Sequence, residues 1–447
     1  MTSPTRLTAD VAIVGAGPAG LATATRLGAE HGIKALVLDR ETHAGGIPRH
    51  CDHPGYGIRD LHTFISGPAY ARRLVDRARR AGADIRTGTT VTAISPDRTL
   101  HVTTPDGLLT VQPRALVLAT GARERARPAR LIPGDRPQGV YTTGQLQNIV
   151  HIQHKKVGQR AVIVGAELVS WSGAMTLRHA GCRTVLMTSE YPTAESYAAF
   201  TVPGKSVLRV PVRTRTRVIG IVGRRSVGGV GGVGGVGRVE GVEIEHIDSG
   251  HRETIACDTV IFTGDWIPDN ELPRAAGLPI DPATRGPLVD TALRTEAPGI
   301  FAAGNMLHPV DTADIAALDG TYVADRVADY LHTQAWSPSG QLRITCEAPL
   351  RWVAPGLMTP GQPAPPRQRL LLWTDELVRR PRITIRQGDR TVAAKTLPWP
   401  ASPGRVFRIP WSIMRNVRPD GGDITVSIDN ARNTGFVPGR RALLGVG

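Results

Sequence analysis

The chain opens on the run Val11-Ala-Ile-Val-Gly15-Ala-Gly17-Pro-Ala-Gly20, and Asp39 follows nineteen residues after Gly20. An apolar strand, a Gly-x-Gly-x-x-Gly turn, a helical stretch, a second strand and an acid form the fingerprint of a dinucleotide-binding βαβ unit. Gly15 permits the tight turn, Gly17 lets backbone approach a pyrophosphate, and Gly20 lets the helix pack on the strand. The helix N-terminus favours a diphosphate, and the acid can bind ribose hydroxyls. The alternative is a glycine-rich turn in an unrelated α/β protein. The strand, the helix, the spacing and the acid all favour the dinucleotide-binding unit instead.

Composition limits the class of protein and its compartment. The 447 residues are 41% hydrophobic and 21% charged, which is ordinary for a globular chain of two to four domains. No apolar stretch approaches the ~20 residues of a membrane span, and the N-terminus has no apolar signal core. The four cysteines lie far apart without a Cys-x-x-Cys pair, which fits a reducing cytoplasm and argues against a disulfide framework or a zinc ribbon.

The net charge of +15 first suggests a nucleic-acid or anionic-membrane surface. The arginine-rich stretches are dispersed, however, and no aromatic residues are interleaved with them. We therefore favour an arginine-rich composition with anionic ligands and predict no nucleic-acid binding. An acidic partner protein or substrate stays open.

A second dinucleotide-type motif lies about 150 residues further on, at Arg160-Ala-Val-Ile-Val-Gly165-Ala-Glu167-Leu-Val-Ser170. The order of strands predicts a first nucleotide domain, residues 1–145 and 263–335, interrupted by a second at 146–262. The glycine-rich tract 226–238 reads as a flexible hairpin extension of the second domain.

Beyond residue 340 the sequence changes to alternating strands separated by Pro and Gly clusters, as in Arg382-Ile-Thr-Ile-Arg386. We predict a small antiparallel, β-sandwich-like domain over 340–447. Five of the seven tryptophans fall at or beyond this boundary: Trp336, Trp352, Trp373, Trp399 and Trp411. We expect these tryptophans to form the core and packing surface of the β domain. The alternative is that they form a face that binds a partner or an aromatic ligand.

Residues 8–332 resemble the pyridine nucleotide–disulfide oxidoreductase superfamily, whose fold is α/β with two nested Rossmann-like domains of the glutathione-reductase type. The resemblance rests on Gly45-Gly46-Ile-Pro-Arg49-His50-Cys51-Asp52-His53-Pro-Gly55-Tyr-Gly57 and on Thr120-Gly121-Ala-Arg123-Glu124-Arg125. These segments look like those of flavoprotein NADH oxidases encoded beside glycerol-3-phosphate dehydrogenases. The α-like subunits of heteromeric amine and opine dehydrogenases are similar at a greater distance.

The resemblance implies FAD as cofactor. It places at FAD the residues Gly15, Gly17, Pro18, Ala19, Gly20, Asp39, Arg40, Gly46, Ile47, Thr120, Gly121, Gly304, Asn305, Thr312 and Ala313. Asn305 stands where the family usually has an aspartate that bonds the ribityl chain. The helix that starts near Thr312 is expected to direct its N-terminus at the flavin.

The second motif departs from an NAD(P)-binding loop because Glu167 replaces the middle glycine. Its side chain fills the gap through which backbone would reach the pyrophosphate, and its charge faces a dianion. Two like charges ~4 Å apart repel by about 1 kcal/mol in water and about 4 kcal/mol at an effective dielectric of 20. Glu190 would otherwise favour NADH over NADPH. Use of NAD(P)H is thus doubtful, unless Glu167 turns outward.

The catalytic candidates are His50, Cys51, His53 and His308. The resemblance brings the first three close to the flavin, where a base could take the proton that accompanies hydride transfer. Cys51 is either a redox thiol or an unreactive buried residue. Further candidates are Asp311, Arg123 and Arg125, the arginines as carboxylate binders. No metal site is predicted.

We therefore predict an FAD-dependent oxidoreductase that oxidises a small amine, amino acid or related metabolite, with a partner subunit that takes up the electrons. Self-association into a homo-oligomer also stays open. The first alternative is an NADH:acceptor oxidoreductase or NADH oxidase. The second is a redox-inactive scaffold in which FAD is only structural and the β domain recruits a partner.

Overall fold

The first domain forms around the strand Thr5–Val14, whose last four residues are completely or almost completely buried. The computed structural model describes residues 5–226, 235–308, 311–336, 340–359 and 361–430. In the first sheet the strands lie in the order Asp84–Arg86, Ala35–Leu38, Thr5–Val14, Gly107–Leu118, Leu100–Thr104 and Thr90–Ile94, with Ile300–Ala302 beside the end of Gly107–Leu118. The pairs around Thr5–Val14 are parallel, and a strand inside a parallel sheet is buried on both faces, which accounts for its apolar end.

Three helices cover this sheet: Pro18–His31, Gly67–Arg80 and Ala313–Thr333. The first begins after Gly17 with Pro18 in its first turn and ends at Gly32, which adopts a left-handed conformation with φ of 66°. Helices Pro18–His31 and Ala313–Thr333 cross in close contact, since a Cβ on Gly320 would lie 2.1 Å from the Ala19 carbonyl oxygen.

The second domain contains a parallel sheet with the order Val140–Thr142, Thr259–Phe262, Arg160–Val164, Arg183–Thr188 and Val212–Arg213. Its helices are Thr143–Gln147, Leu168–His179 and Ala198–Val207, and a π-helical turn spans Asn148–Ile152. Because the strand Val140–Thr142 pairs with Thr259–Phe262, this domain begins near residue 140 and not at the predicted 146.

An antiparallel sheet of Thr216–Ser226, Gly235–His246 and Arg252–Ala256 packs beside the second domain's parallel sheet. The first two strands form the predicted hairpin, whose residues 227–234 lie outside the described ranges. The two domains are joined by the strand pair Ala122–Glu124 and Trp266–Pro268, and a short helix, Glu271–Ala275, follows.

The C-terminal domain is a sandwich of two sheets. The first has the order Leu357–Met358, Leu342–Cys346, Ile424–Asn430, Pro381–Gln387 and Arg390–Thr396, and the second contains Leu350–Ala354, Arg369–Thr374 and Phe407–Pro410. The prediction of an antiparallel domain needs one correction, because Leu342–Cys346 and Ile424–Asn430 run parallel. Residues 431–447, which the predicted domain includes, lie outside the described part.

The tryptophans mostly take the packing role. Trp352 and Trp373 are buried and stack with their ring centroids 6.0 Å apart. Trp336 packs edge-on against Phe301 in the first domain, whereas Trp399 is exposed.

Candidate functional site

The first glycine turn leaves space where a cofactor diphosphate belongs. Gly15 has φ of 108°, and a Cβ there would lie 2.4 Å from the Ala119 carbonyl oxygen, while a Cβ on Gly20 would lie 2.0 Å from the Gly15 oxygen. These two glycines are therefore needed for the protein's own packing. A Cβ on Gly17, in contrast, would meet nothing within 4 Å. The space above Gly17 and the N-terminus of helix Pro18–His31 thus fit a bound diphosphate.

Asp39 stands at the end of the neighbouring strand and is tied to the glycine turn. Its Oδ2 accepts the Ala16 N–H at 2.5 Å and its Oδ1 accepts the Glu41 N–H at 2.8 Å. Burial raises the pKa of this carboxyl, and the two backbone hydrogen bonds oppose that effect. Each oxygen keeps a further lone pair, so the residue fits the predicted contact with ribose hydroxyls.

The segment that carries Gly46 and Ile47 folds back onto this turn. Gly46 has φ of 63°, and a Cβ there would lie 2.9 Å from the Gly17 Cα. Gly304, with φ of 75°, approaches Ala19 in the same way, since a Cβ on Gly304 would lie 2.8 Å from the Ala19 Cβ. The structure therefore gathers the predicted cofactor residues of four separate segments around one turn.

Several predicted ligand-binding side chains already have protein partners. Arg40 pairs with Asp269 at 3.1 Å, and Arg123 pairs with the same carboxylate at 3.0 Å. The Thr120 hydroxyl donates to the Asp269 carbonyl at 2.7 Å, and the Gly121 carbonyl accepts the Asp269 N–H. Arg125 pairs with Asp265 at 3.1 Å. The two arginines proposed as carboxylate binders thus form ion pairs within the protein.

The hydrogen bonds of Asn305 account for an amide at the position where the family usually has an aspartate. Its Nδ2 donates to the Asp311 carbonyl at 2.9 Å, and its Oδ1 accepts the Asp311 N–H at 3.1 Å. An aspartate could accept but not donate at neutral pH, so only the amide makes both bonds. Asn305 therefore holds the backbone ahead of helix Ala313–Thr333.

The N-terminus of that helix carries a carboxylate that the sequence analysis did not consider. Thr312 is the N-cap residue, and its hydroxyl donates to Asp314, which is itself buried. Arg59 reaches the Asp314 Oδ2 from the opposite segment at 3.0 Å. Ala313 occupies the first helical position, so both predicted residues, Thr312 and Ala313, lie at the expected helix end.

Cys51 and His53 belong to a hydrogen-bond chain that joins the two nucleotide domains. The Cys51 thiol donates to Gln147 Oε1 at 3.1 Å, Gln147 Nε2 donates to Ser172 Oγ at 2.7 Å, and Ser172 Oγ lies 2.6 Å from His53 Nε2. His53 Nδ1 lies 2.9 Å from the Pro54 carbonyl oxygen, which can only accept. The proton of a neutral His53 is therefore on Nδ1, and Nε2 accepts the Ser172 hydroxyl.

The pKa shifts of Cys51, His50 and His53 distinguish the thiol from the two imidazoles. Burial raises the pKa of the Cys51 thiol to about 11, which disfavours the thiolate that redox chemistry needs at neutral pH. Burial lowers the pKa of His53, and burial together with the Arg49 charge lowers that of His50. The lowered pKa values favour the neutral form of both imidazoles at pH 7, which is the form that accepts a proton.

His308 lies elsewhere, so the structure does not bring it together with the other three catalytic candidates, and its catalytic role stays a prediction. It is buried at the boundary with the C-terminal domain, where its ring stacks on Trp352 at 5.4 Å between centroids. Asp311 is buried beside it and pairs with Arg408 at 2.5 Å. Burial lowers the pKa of His308 to about 4. The pair therefore packs two domains together.

Ligand atoms of His308, Asp311 and Asp319 lie within 4.8 Å of one another, which is close enough for them to share a cation. Arg408 and Arg367 already neutralise the two carboxylates, with Arg367 3.0 Å from Asp319. A divalent cation would leave this buried group with excess positive charge. The arrangement therefore fits an ion-pair cluster between domains.

The second glycine turn is filled by protein. The Glu167 carboxyl packs on Gly264, where a Cβ would lie 2.2 Å from Glu167 Oε1. Ser170, in the place of the third glycine, accepts the Glu167 N–H at 3.0 Å and lies 2.7 Å from the Thr263 hydroxyl. Burial, with the nearby Glu195 charge, raises the pKa of Glu167 to about 8. Glu167 is turned inward, and the outward rotamer that would admit NADH is not the one observed.

Sequence reasoning missed Gln147, Ser172, Arg59, Asp314 and Glu195. The position of Gln147 on a helix could have been predicted from the sequence. Thr142 and Gln145 form a capping box, which marks the start of the helix Thr143–Gln147. Asp314, in the first turn of a helix already predicted, could also have been found. Ser172 and Glu195 have no comparable signal, since their partners are distant in sequence.

The fold and the first site together define a flavoprotein with two dinucleotide-binding domains. A family model described as pyridine nucleotide-disulphide oxidoreductase matches residues 9–320, and the chain belongs to that family. It is an FAD-dependent oxidoreductase. In the described residues no helix has the length and apolar character needed to cross a membrane.

Several named proteins are similar in sequence to this chain. An opine oxidase subunit of Rhizobium meliloti (strain 1021) is 26% identical over 328 residues, 70% of this chain and 70% of that protein. The alpha subunit of sarcosine oxidase from Corynebacterium sp. (strain P-1) is 30% identical over 165 residues, 34% of this chain and 16% of that protein. The chain spans 64% of a second opine oxidase subunit, which comes from Agrobacterium tumefaciens (strain Ach5) and is 28% identical.

Thioredoxin reductase of T. acidophilum is a similar solved structure, with a TM-score of 0.59 and 23% identity over 72% of this chain and 98% of that one. This likeness supports the two-domain fold. The predicted superfamily, the fold class, FAD as the cofactor and the enzyme class are confirmed.

Proposed function

We propose that this flavoenzyme oxidises a secondary amine that carries a carboxylate, such as an N-substituted amino acid, and not NAD(P)H. The observation that carries the proposal is the second glycine turn, in which Glu167 lies against Gly264 where a pyrophosphate would approach backbone. The names of two relatives, one a subunit of opine oxidase and the other of sarcosine oxidase, support the substrate class. Opines and sarcosine are both N-substituted amino acids.

The chemistry divides between cofactor and protein. FAD, when bound, supplies a two-electron acceptor for a hydride that leaves the carbon next to nitrogen. The turn residues Gly15, Gly17 and Gly20 and the acid Asp39 would hold it. His50 or His53, neutral at pH 7, takes the proton that the substrate nitrogen releases, and water then hydrolyses the resulting imine.

An electron acceptor completes the cycle, and we propose a partner subunit, because the relatives are named as subunits of oxidases. The strongly basic chain, with a charge of +15, favours an acidic partner. The free cysteines Cys51, Cys182, Cys257 and Cys346 support a reducing compartment such as the cytoplasm.

The test is a steady-state assay of the purified holoenzyme with an artificial electron acceptor. We expect acceptor reduction with N-substituted amino acids and little with matched amines that lack the carboxylate. The variant His53→Gln should lower kcat more than KM, whereas His154→Gln, on the exposed surface, should change neither. Reduction by NADH alone at micromolar concentration would contradict the proposal and favour the NADH oxidase alternative.

A further inference from the structure

We infer that the C-terminal domain is a cap that occupies the dinucleotide cleft of the second domain. The residues concerned are Ala401, Ser402, Pro403 and Gly404, which form a loop before the strand Phe407–Pro410 and are all buried. A loop on the surface of an isolated β-sandwich would be exposed.

The loop contacts the two segments that would flank a bound dinucleotide. A Cβ on Gly404 would lie 2.2 Å from the Glu195 Cβ and 3.2 Å from the Glu167 Cγ. Glu167 lies in the turn. Glu195 lies in the segment after strand Arg183–Thr188, five residues beyond Glu190, the acid at the ribose-binding position of a βαβ unit. The Ser196 N–H donates to the Ala166 carbonyl at 3.1 Å, which draws these two segments together beneath the loop.

Contacts beside the loop extend the covered area. The Arg405 guanidinium lies 4.6 Å above the centre of the Tyr197 ring, a cation–π geometry. The ion pair of Arg351 and Asp375, at 2.6 Å, lies close enough to Tyr191 to affect its pKa. Both tyrosines belong to the segment after the second strand, so the C-terminal domain covers this edge at several points.

Charge explains why the cap fits here and a dinucleotide does not. Burial raises the pKa of Glu195 to about 7 and that of Glu167 to about 8. The loop residues Ala401, Ser402, Pro403 and Gly404 carry no charge, whereas a pyrophosphate would add two negative charges beside these two carboxyls. The cap thus replaces a ligand, and its role does not depend on which substrate reduces the flavin.

The decisive experiment is hydrogen exchange of the holoenzyme with the variants Gly404→Ala and Gly422→Ala. The two glycines have nearly equal φ, 78° and 77°, but a Cβ on Gly422 would meet nothing within 4 Å. We expect Gly404→Ala to speed exchange at residues 166–170 and 195–197, and Gly422→Ala to leave it unchanged. Equal exchange in both variants, or fast exchange in the wild type, would overturn the assignment.

A second measurement asks whether the cap excludes the dinucleotide, with NADH as the probe in calorimetry. Wild type and Glu167→Gly should show no binding up to the highest NADH concentration tested, because the loop still covers the cleft. The double variant Glu167→Gly/Gly404→Ala should show measurable binding, with a dissociation constant at least about tenfold below that concentration. Full affinity in Glu167→Gly alone, or no binding in a double variant with an open cleft, would overturn the cap. Failure of amine oxidation would leave both readouts unaffected.

Discussion

At the scale of single residues, each glycine of the first turn has a separate task that the distances reveal. Gly15 and Gly20 are required by the backbone around them, while Gly17 faces open space. All three glycines belong to the sequence motif, but only Gly17 borders open space that a ligand can fill. Substitutions can therefore separate binding from folding.

The change Gly17→Ala should weaken FAD binding by about tenfold or more and leave the apoprotein's stability nearly unchanged. Gly20→Ala should instead destabilise the apoprotein by about 1–3 kcal/mol, because its Cβ meets backbone. FAD titration and chemical unfolding of the apoproteins measure the two effects. Equal losses of stability in both variants would contradict this division.

The buried carboxyl of Glu167 gives folding stability a pH dependence. Its folded pKa of about 8 lies above the ordinary value of 4.5. Below pH 4.5 both states are protonated, and as pH rises toward 8 only the unfolded state releases its proton, so stability falls. Glu167→Gln should flatten this fall between roughly pH 5 and pH 8.

The measurement for Glu167 is urea unfolding across that pH range. Glu30→Gln is the control, since Glu30 is exposed and pairs with Arg26 on its own helix. A slope unchanged in Glu167→Gln would show that the carboxyl is charged in the folded protein.

At the scale of elements, local patterns predict the βαβ units well, because strand, turn and helix are neighbours in sequence. The same patterns place Thr312 and Ala313 correctly at a helix start. They do not predict the surroundings of His308, because these come from Trp352 in another domain. They also miss the domain boundary near residue 140. The pairing of strands assigns residues 140–145 to the second domain, and the amino-acid composition does not change there.

The crossing of helices Pro18–His31 and Ala313–Thr333 is a contact that no local pattern predicts. Gly320→Ala would force a Cβ to 2.1 Å from the Ala19 carbonyl oxygen, and we expect a loss of about 3 kcal/mol with weaker FAD binding, since the crossing supports the glycine turn. Thr321→Ala, whose hydroxyl bonds the Ala317 carbonyl of its own helix, should cost less than about 1 kcal/mol. Similar unfolding curves for both variants would refute the close crossing.

At the scale of the whole molecule, the C-terminal domain contacts both nucleotide domains. It reaches the first through Arg408–Asp311 and Arg367–Asp319, and the second through Gly404. Composition indicated a separate β domain but gave no sign of these contacts, because the partners lie tens to hundreds of residues apart.

The change Arg408→Ala should lower stability by about 3 kcal/mol, because it leaves the Asp311 carboxylate buried without its partner. Arg351→Ala breaks an exposed pair and should cost about 1 kcal/mol or less. Chemical unfolding measures both, and limited proteolysis should show earlier release of the C-terminal domain in Arg408→Ala alone. Equal costs would mean that the buried pair does not hold the domains together.

The central claim is that an N-substituted amino acid, and not NAD(P)H, reduces the flavin. The most direct measurement is anaerobic stopped-flow absorbance of the holoenzyme at the flavin band, mixed separately with each donor. We predict rapid bleaching by an N-substituted amino acid and none by millimolar NADH or NADPH over minutes. Rapid bleaching by micromolar NADH would contradict the claim.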